Sequence, residues 1–197
     1  MRPGLKGLQT PSQVMNPPRK AASDAIVPNY VRTYVSGSYN WQCPATATYR
    51  FVLWGAGGGA DTGGFEGGGG AAHAQKAERI RVGQIVPLAV AGLTSANSDG
   101  AATTVTLPSG LVSAGGGRKG DGGAGGDGGS ATGGDINVGG NNNSGATGGA
   151  AGGAALFPGG AASGANGGAS APGGGGGVSG SGRPGAGGYL IIIREGA

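Results

Sequence analysis

The sequence predicts an all-β protein: a small Gly-rich β sandwich, a stacked polyglycine II region and an extended N-terminal arm, with essentially no helix. Three observations support this prediction. Short β-branched and aromatic runs are separated by glycine, 52 of the 197 residues are glycine, and no window keeps the 3.6-residue apolar period of a helix. Glycine and proline together make up about a third of the chain, which excludes an ordinary core along much of its length.

Residues 1–38 are predicted to form an extended, Pro-rich and basic anchoring arm. Prolines recur along this stretch, and proline fixes φ and disfavours helix at the residue before it. The first 35 residues contain five basic residues and one acidic residue, so they carry the whole net charge of +4. We expect the arm to bind another protein. Its candidate anchoring residues are Arg2, Lys6, Leu8, Arg19 and Lys20.

Residues 39–113 form the predicted β-strand region, which a C-terminal strand at 187–197 completes. The strands are predicted at 48–54, 74–82, 84–91, 102–107 and 189–194. Because 189–194 is the most apolar run in the chain, we expect it to pair with 48–54 as a central strand. Pro87 cannot donate to a ladder, so it is expected at an edge or a bulge.

The run 48–54 is expected to present two different faces. Tyr49, Phe51 and Leu53 alternate along it and should share one face, since successive side chains of a strand point to opposite sides. Arg50, Val52 and Trp54 should share the other face. This strand then ends at a glycine.

Residues 114–186 are predicted to form a glycine-rich region of short polyproline II-type segments with display loops. The stretch 114–188 holds 34 of the 52 glycines and too few large apolar residues for a core. Its longest regular run comprises Gly117, Gly120, Gly123, Gly126 and Gly129. Three residues is the period of the polyproline II helix. Collagen is excluded because it needs an unbroken triplet repeat rich in proline; a disordered low-complexity tail is the alternative.

The composition argues against an enzyme, and the sequence indicates no catalytic residue, no cofactor and no metal site. A single Cys43 excludes an intrachain disulfide framework, and a single His73 excludes a multi-histidine metal site. Asp121, Asp127 and Asp135 lie near a fragment of a calcium-binding repeat, but the repeat does not recur, and we interpret them as turn residues. The chain beyond residue 35 has no net charge, which argues against binding of nucleic acid by this part. The sequence has no run of 18 apolar residues, so membrane insertion is not predicted.

Two interruptions of the glycine runs are candidate receptor-binding loops. Asparagine tolerates turn conformations, and large side chains at loop tips suit a binding surface. In the alternative, Phe157 fills the interface between the sheet and the glycine-rich region. The candidate receptor-binding residues are Asn141, Asn142, Asn143, Leu156 and Phe157.

An aromatic strand runs into Gly-Ala-Gly-Gly-Gly at 49–59, and a glycine run with Ala-Ala-His-Ala follows at 67–74. A long glycine-rich region then leads to a closing Gly-Gly-Tyr-Leu-Ile-Ile-Ile-Arg at 187–194. This order resembles the glycine-rich domain of bacteriophage tail-fibre tips and other virion appendage proteins, over residues 38–197. The resemblance implies a polyglycine II or Gly-rich β sandwich at the end of a fibre, with receptor binding through the loops between glycine segments.

We therefore expect a bacteriophage virion structural protein, a tail-fibre or tail-tip adhesin that acts at the host cell surface. Its expected partners are other virion proteins (fibre, baseplate or capsid), bound through the arm, and a bacterial surface polysaccharide or outer-membrane protein, bound through the loops. The chain could form a homo-oligomer, with a trimer favoured. The alternatives are a capsid decoration or head-fibre protein with a purely structural role, and an ice-binding protein with flat polyproline II stacks.

Overall fold

The computed structural model describes residues 31–61, 66–121, 124–143, 173–176 and 183–196. Within these ranges the protein is all-β, with two antiparallel five-stranded sheets and no helix. The strands are β1 (Val31–Tyr34), β2 (Gly37–Gln42), β3 (Ala47–Trp54), β4 (His73–Ile80), β5 (Ile85–Val90), β6 (Thr103–Leu107), β7 (Gly110–Ala114), β8 (Ala131–Thr132), β9 (Ile136–Val138) and β10 (Tyr189–Glu195).

The first sheet, sheet I, has the strand order β1-β10-β3-β4-β9. The C-terminal strand β10 pairs with β3 from Tyr189 opposite Trp54 to Glu195 opposite Thr48. The predicted central pairing of these two apolar strands is therefore confirmed. The second sheet, sheet II, has the order β2-β5-β6-β7-β8.

The hydrophobic core lies between the two sheets. Tyr49, Phe51 and Leu53 of β3 are fully buried in it, which confirms the predicted face. Trp41 of β2 packs edge-on against Tyr49 and Phe51, with ring centroids 4.9 and 5.8 Å apart. The Tyr49 hydroxyl donates to the Ala45 carbonyl at 2.9 Å, and burial raises the pKa of Tyr49 to about 12. The core thus joins aromatic residues of both sheets.

The other face of sheet I carries a second buried cluster. Val52, Trp54 and Ile191 form this cluster, as expected for the opposite side of β3. His73, the first residue of β4, is fully buried with its ring centroid 4.8 Å from that of Trp54. The Gln75 amide donates to His73 Nε2 at 2.9 Å. Burial lowers the pKa of His73, which favours the neutral imidazole.

Two of the predicted boundaries differ from the structure. β1 and the start of β2 lie inside the predicted arm 1–38, because Val31 to Tyr34 pair with β10. The strands β8 and β9 lie inside the predicted glycine-rich region 114–186 and extend the two sheets. Residues 31–38 therefore belong to the sandwich, and the rest of the arm lies outside the described residues.

The position of Pro87 also differs from the prediction. Its strand β5 lies between β2 and β6 and is not an edge strand. However, β5 pairs with β6 only at Leu88 and Ala89, so Pro87 lies beyond the end of that ladder and faces a paired strand only on the β2 side. The missing N–H of proline is thus tolerated within an internal strand.

Glycine segments leave the sandwich at one end and return to it. Gly55 follows β3 and Gly115 follows β7, whereas residues 72 and 188 lead back into β4 and β10. The segments form what we call the glycine lattice, and in the described ranges they are 55–61, 66–72, 97–101, 115–121, 124–130, 139–143, 173–176 and 183–188.

Candidate binding surface of the glycine lattice

The segment 55–61 shows how the lattice is held together. All of residues 55–60 are buried, and they are glycine except for Ala56 and Ala60. Each N–H donates to a carbonyl, and the neighbour that accepts changes from one residue to the next. The donor–acceptor pairs are Gly55–Ala72, Ala56–Ala101, Gly57–Ala186, Gly58–Gly69, Gly59–Ser98 and Ala60–Arg183. Three neighbouring segments are therefore contacted in turn, and the cycle repeats after three residues.

The segment 66–72 repeats this pattern with other neighbours. Its donor–acceptor pairs are Gly68–Gly176, Gly69–Arg118, Gly70–Asn141, Ala71–Gly173 and Ala72–Gly115. Donors three residues apart again reach the same segment. A β-strand bonds to at most two neighbours, on opposite sides, so this is a different arrangement. A polyproline II helix, with three residues per turn, would give such a three-residue repeat of bonding partners. The polyglycine II conformation of these segments stays a prediction.

Glycine is required in these two inner segments because their neighbours approach closely. A Cβ placed on Gly57 would lie 1.9 Å from the Gly174 oxygen, and one on Gly58 would lie 1.9 Å from the Arg118 oxygen. The Cα hydrogens therefore face carbonyl oxygens, an arrangement that adds weak Cα–H···O contacts. The interior of the lattice is thus formed by main chain packed against main chain.

The energetics explain why so many bonds are needed. Ordering one residue costs about 1–2 kcal/mol, and glycine loses the most freedom. An intramolecular hydrogen bond contributes only about 1 kcal/mol net. Every N–H along 55–60 donates a hydrogen bond, and residues such as Ala56 and Gly59 also accept one, so these bonds act against this loss.

Four segments lie side by side over the two inner ones and form what we call the outer layer. Their order is 97–101, 115–121, 124–130 and 139–143. The bonds that join adjacent members are Gly100–Gly117, Gly115–Ser130, Arg118–Asp127, Gly140–Gly129 and Asn143–Gly126. Further bonds connect this layer to the buried segments beneath, for example Gly117 N–H to the Ala56 oxygen and Gly129 N–H to the Gly70 oxygen. One face of the outer layer packs on the two inner segments, and the other face is directed toward solvent.

The exposed positions of the two middle segments of the outer layer, 115–121 and 124–130, recur every three residues. Between 115 and 130, the exposed residues in the described ranges are Arg118, Asp121, Ala124, Asp127 and Ser130. At the rise of a polyproline II helix, successive exposed side chains of a segment would stand about 9 Å apart. The two segments thus present two adjacent antiparallel lines of exposed residues, with Arg118 beside Asp127 and Asp121 beside Ala124. We call the two lines together the exposed row. This row is the candidate binding surface.

None of the exposed residues of this row was predicted from the sequence as a binding residue, although the glycines between them were identified. The signal was present, because between 115 and 130 the third residue of each glycine-containing triplet is Arg, Asp, Ala, Asp and then Ser. With glycines packed inward, the remaining triplet position has to face solvent. Asp121 and Asp127 were interpreted as turn residues, and this interpretation did not predict that they lie on one exposed surface.

The predicted asparagines lie on the same layer and also support it. Asn141 and Asn142 are exposed on segment 139–143, beside the row. The Asn142 side-chain oxygen accepts from Gly128 N–H at 2.8 Å, and Asn143 N–H donates to the Gly126 oxygen at 3.0 Å. These residues thus hold adjacent segments together. The other predicted site residues lie outside the described residues: Leu156, Phe157, Arg2, Lys6, Leu8, Arg19 and Lys20.

The end of the outer layer away from the sandwich is tied by polar side chains. Lys119 donates from its backbone N–H to Asp99 Oδ1 at 2.9 Å and from Nζ to Asn97 Oδ1 at 3.2 Å. Asn97 has a φ of 55°, a left-handed conformation that asparagine tolerates. Its N–H donates to the Ala60 oxygen at 2.8 Å. These contacts fix the turn at which 97–101 begins.

The three aspartates considered for calcium do not come together. Asp135 lies beside β4, where its carboxylate accepts from Lys76 Nζ and from Ala77 N–H. In the part of the chain that the structure describes, no group of three or more His, Cys, Asp or Glu residues could hold a metal ion. Cys43 is buried and directs its thiol toward the Ala45 carbonyl.

Comparison with known proteins found no family model that matches the chain and no similar curated protein. Among the described residues there is also no helix long and apolar enough to cross a membrane.

Proposed function

We propose that this chain is a bacteriophage virion structural protein that acts as a tail-fibre or tail-tip adhesin. The exposed row of the outer layer would contact a host surface molecule, and the N-terminal arm would attach the chain to the particle. Recognition by a rigid surface limits the ordering cost of binding. Several copies on one particle would add avidity to weak individual contacts.

The observation that carries the proposal is the position of Val31, where the described part of the sandwich begins, relative to the glycine lattice. Val31 pairs with Ile193 near the end of β10, whereas Tyr189 and Trp54 mark the end from which the lattice leaves. Val31, the first residue that the structure describes, therefore lies at the end of the sandwich opposite the lattice. An anchor at one end and a display surface at the other is the polarity that an adhesin needs.

The proposal is tested by adsorption of the labelled full chain to susceptible bacteria. Arg118→Ala combined with Asp127→Ala should weaken adsorption, since both side chains belong to the exposed row while their lattice bonds use backbone atoms only. Arg81→Ala is the matched control, because Arg81 is exposed just after β4 at the end away from the lattice. If the unaltered chain neither adsorbs nor blocks virus adsorption, the adhesin proposal is wrong.

A capsid decoration or head-fibre protein is the second candidate, because the same polarity suits any projecting protein. Immunogold labelling of virus particles separates the two: the adhesin proposal expects label on fibres or the tail tip, and the alternative expects label on the head. An ice-binding function is less well supported, because Arg118, Asp121 and Asp127 are charged and keep their own hydration. A thermal-hysteresis measurement checks it.

A further inference from the structure

The outer face of sheet II differs from the rest of the sandwich surface because it carries no charge. None of its five strands contains an Asp, Glu, Lys or Arg, whereas sheet I carries charged residues on β1, β3, β4 and β10. The solvent-facing residues of β2, β5 and β6 are hydroxyl and amide side chains, a glycine, Pro87, Ala89 and, beyond the groove described next, Ile85, which is 60% exposed. A ligand bound here would meet hydrogen-bonding groups but no ionic partner.

A groove of about 310 Å³ crosses this face where β5 and β6 separate. Ladder pairing between the two strands covers only Leu88 and Ala89, and Pro87 cannot extend it. The register places Ser38 and Thr104 on either side of Ala89, and Asn40 beside Pro87. The groove volume is at the lower end of the range of small-molecule sites, about 300–1,000 Å³.

The groove has an apolar floor and polar walls. Pro87 and Ala89 of the middle strand form the floor, and both are exposed. The walls carry two polar residues on each side. These are Ser38 and Asn40 on β2, and Thr104 and Thr106 on β6.

The wall side chains have hydrogen-bonding capacity to spare. Among the described residues, no protein group bonds to the side chain of Ser38, Asn40, Thr104 or Thr106, whereas the nearby Tyr39 hydroxyl already donates to the Val35 carbonyl at 2.8 Å. A hydroxyl can donate and accept at once, and an amide offers both functions on separate atoms. Such groups match a ligand whose hydroxyls also donate and accept.

We propose that this groove binds a neutral sugar ring, such as one unit of an uncharged polysaccharide. The C–H face of a pyranose would lie on Pro87 and Ala89, and its ring hydroxyls would reach the walls on both sides. Without a nearby cation, an anionic sugar gains no ion pair and loses hydration. Because the groove is open to solvent, a single ring binds in the millimolar range, and repeated copies supply avidity. This site is separate from the outer layer and does not depend on the adhesin proposal.

The test is an NMR titration of the full ¹⁵N-labelled chain with glucose, galactose, mannose and N-acetylglucosamine, and with glucuronate as the charged comparison. At least one neutral sugar should shift the amides of Ser38, Ala89 and Thr104, and glucuronate should bind more weakly than glucose. No shift at these amides with any of the four neutral sugars overturns the proposal.

Two variants and one control locate the site. Ala89→Leu fills the floor and Asn40→Ala removes a wall amide, so each should weaken sugar binding about tenfold. Gln42→Ala removes an exposed amide from the same strand and face outside the groove, and it should leave binding unchanged. Unchanged binding in both groove variants overturns the proposal. So does a fall in sedimentation mass on Ala89→Leu, which would instead make this face an interface between copies of the chain.

Discussion

At single residues, the glycine lattice depends on positions where a side chain would meet a carbonyl oxygen. Gly58 is such a position, since an added Cβ would lie 1.9 Å from the Arg118 oxygen. Gly139 provides the matched comparison: it is in the same lattice, and an added Cβ would lie 3.5 Å from the Gly129 oxygen, an ordinary contact.

Gly58→Ala should lower the free energy of unfolding by about 2–3 kcal/mol, because two backbones would have to move apart. Gly139→Ala should change it by less than about 0.5 kcal/mol, or raise it slightly by restricting the unfolded chain. Urea denaturation followed by tryptophan fluorescence measures both values. Equal effects of the two substitutions would show that the close approach has no energetic consequence.

His73 gives the sandwich a dependence on pH that follows from burial. Its lowered pKa means that the unfolded chain takes up a proton below about pH 6.5 more readily than the folded protein does. The free energy of unfolding should therefore fall as the pH drops through this range, by at most about 1.4 kcal/mol per pH unit, until the folded pKa is passed.

The measurement is urea denaturation at a series of pH values between 7.5 and 5.5. His73→Gln should be less stable at neutral pH, because it loses packing against Trp54, but its stability should vary less with pH. A variant that keeps the slope of the unaltered protein would assign that slope to another group.

At the scale of elements, the sequence predicted β3, β4, β5, β6 and β10, and it missed the edge strands of both sheets and the internal strand β7. The runs 48–54 and 189–194 carry large apolar residues on both faces, with one arginine in each run, so their central pairing could be predicted. β1 and β9 lie at the edges of sheet I, and Val31 and Ile136 remain 55% and 48% exposed. Because an exposed edge strand needs no apolar alternation, its sequence carries little signal.

The short edge strand β9 is also held to β4 by side chains. Asp135, which precedes β9, accepts from Lys76 Nζ at 2.7 Å and from Ala77 N–H at 2.9 Å. The hydrogen bond from Lys76, with a smaller contribution from Ala77, lowers the pKa of Asp135. The resulting stabilisation is present above the pKa of the unfolded chain and is lost as pH falls through the folded pKa.

An NMR titration should find the pKa of Asp135 below the ordinary range for aspartate. Lys76→Met should move it upward, while Lys119→Met, which removes a lysine contact at the far end of the outer layer, should leave it unchanged. An ordinary pKa for Asp135 in the unaltered protein would contradict the proposed tether.

At the scale of the whole molecule, the sequence divides into consecutive regions that the fold interleaves. The predicted β region 39–113 contains lattice segments at 55–61, 66–72 and 97–101, and the predicted glycine-rich region contains two strands. Segments of five to seven residues are too short to show a three-residue period by themselves. Only the run from Gly117 to Gly129 was long enough to reveal this period. The inner segments to which this run bonds, 55–61 and 66–72, are distant from it in sequence.

The candidate binding surface could be predicted only in part for the same reason. Asn141 to Asn143 were identified because they interrupt the glycine runs, and they do lie on the outer layer. Arg118 and Asp127 lie on the same layer as these asparagines because hydrogen bonds join their segments. The sequence alone does not show which segments are adjacent. The groove on sheet II likewise depends on the register of three strands.

Amide hydrogen exchange tests most directly whether main chain bonded to main chain keeps the lattice rigid. Consecutive amides along 55–60 and 68–72 should exchange about as slowly as those of β3 and β10, and in the outer layer Gly126 should exchange more slowly than the exposed Asp127. Fast exchange throughout 55–60 and 68–72, with β3 and β10 still protected, would contradict the account.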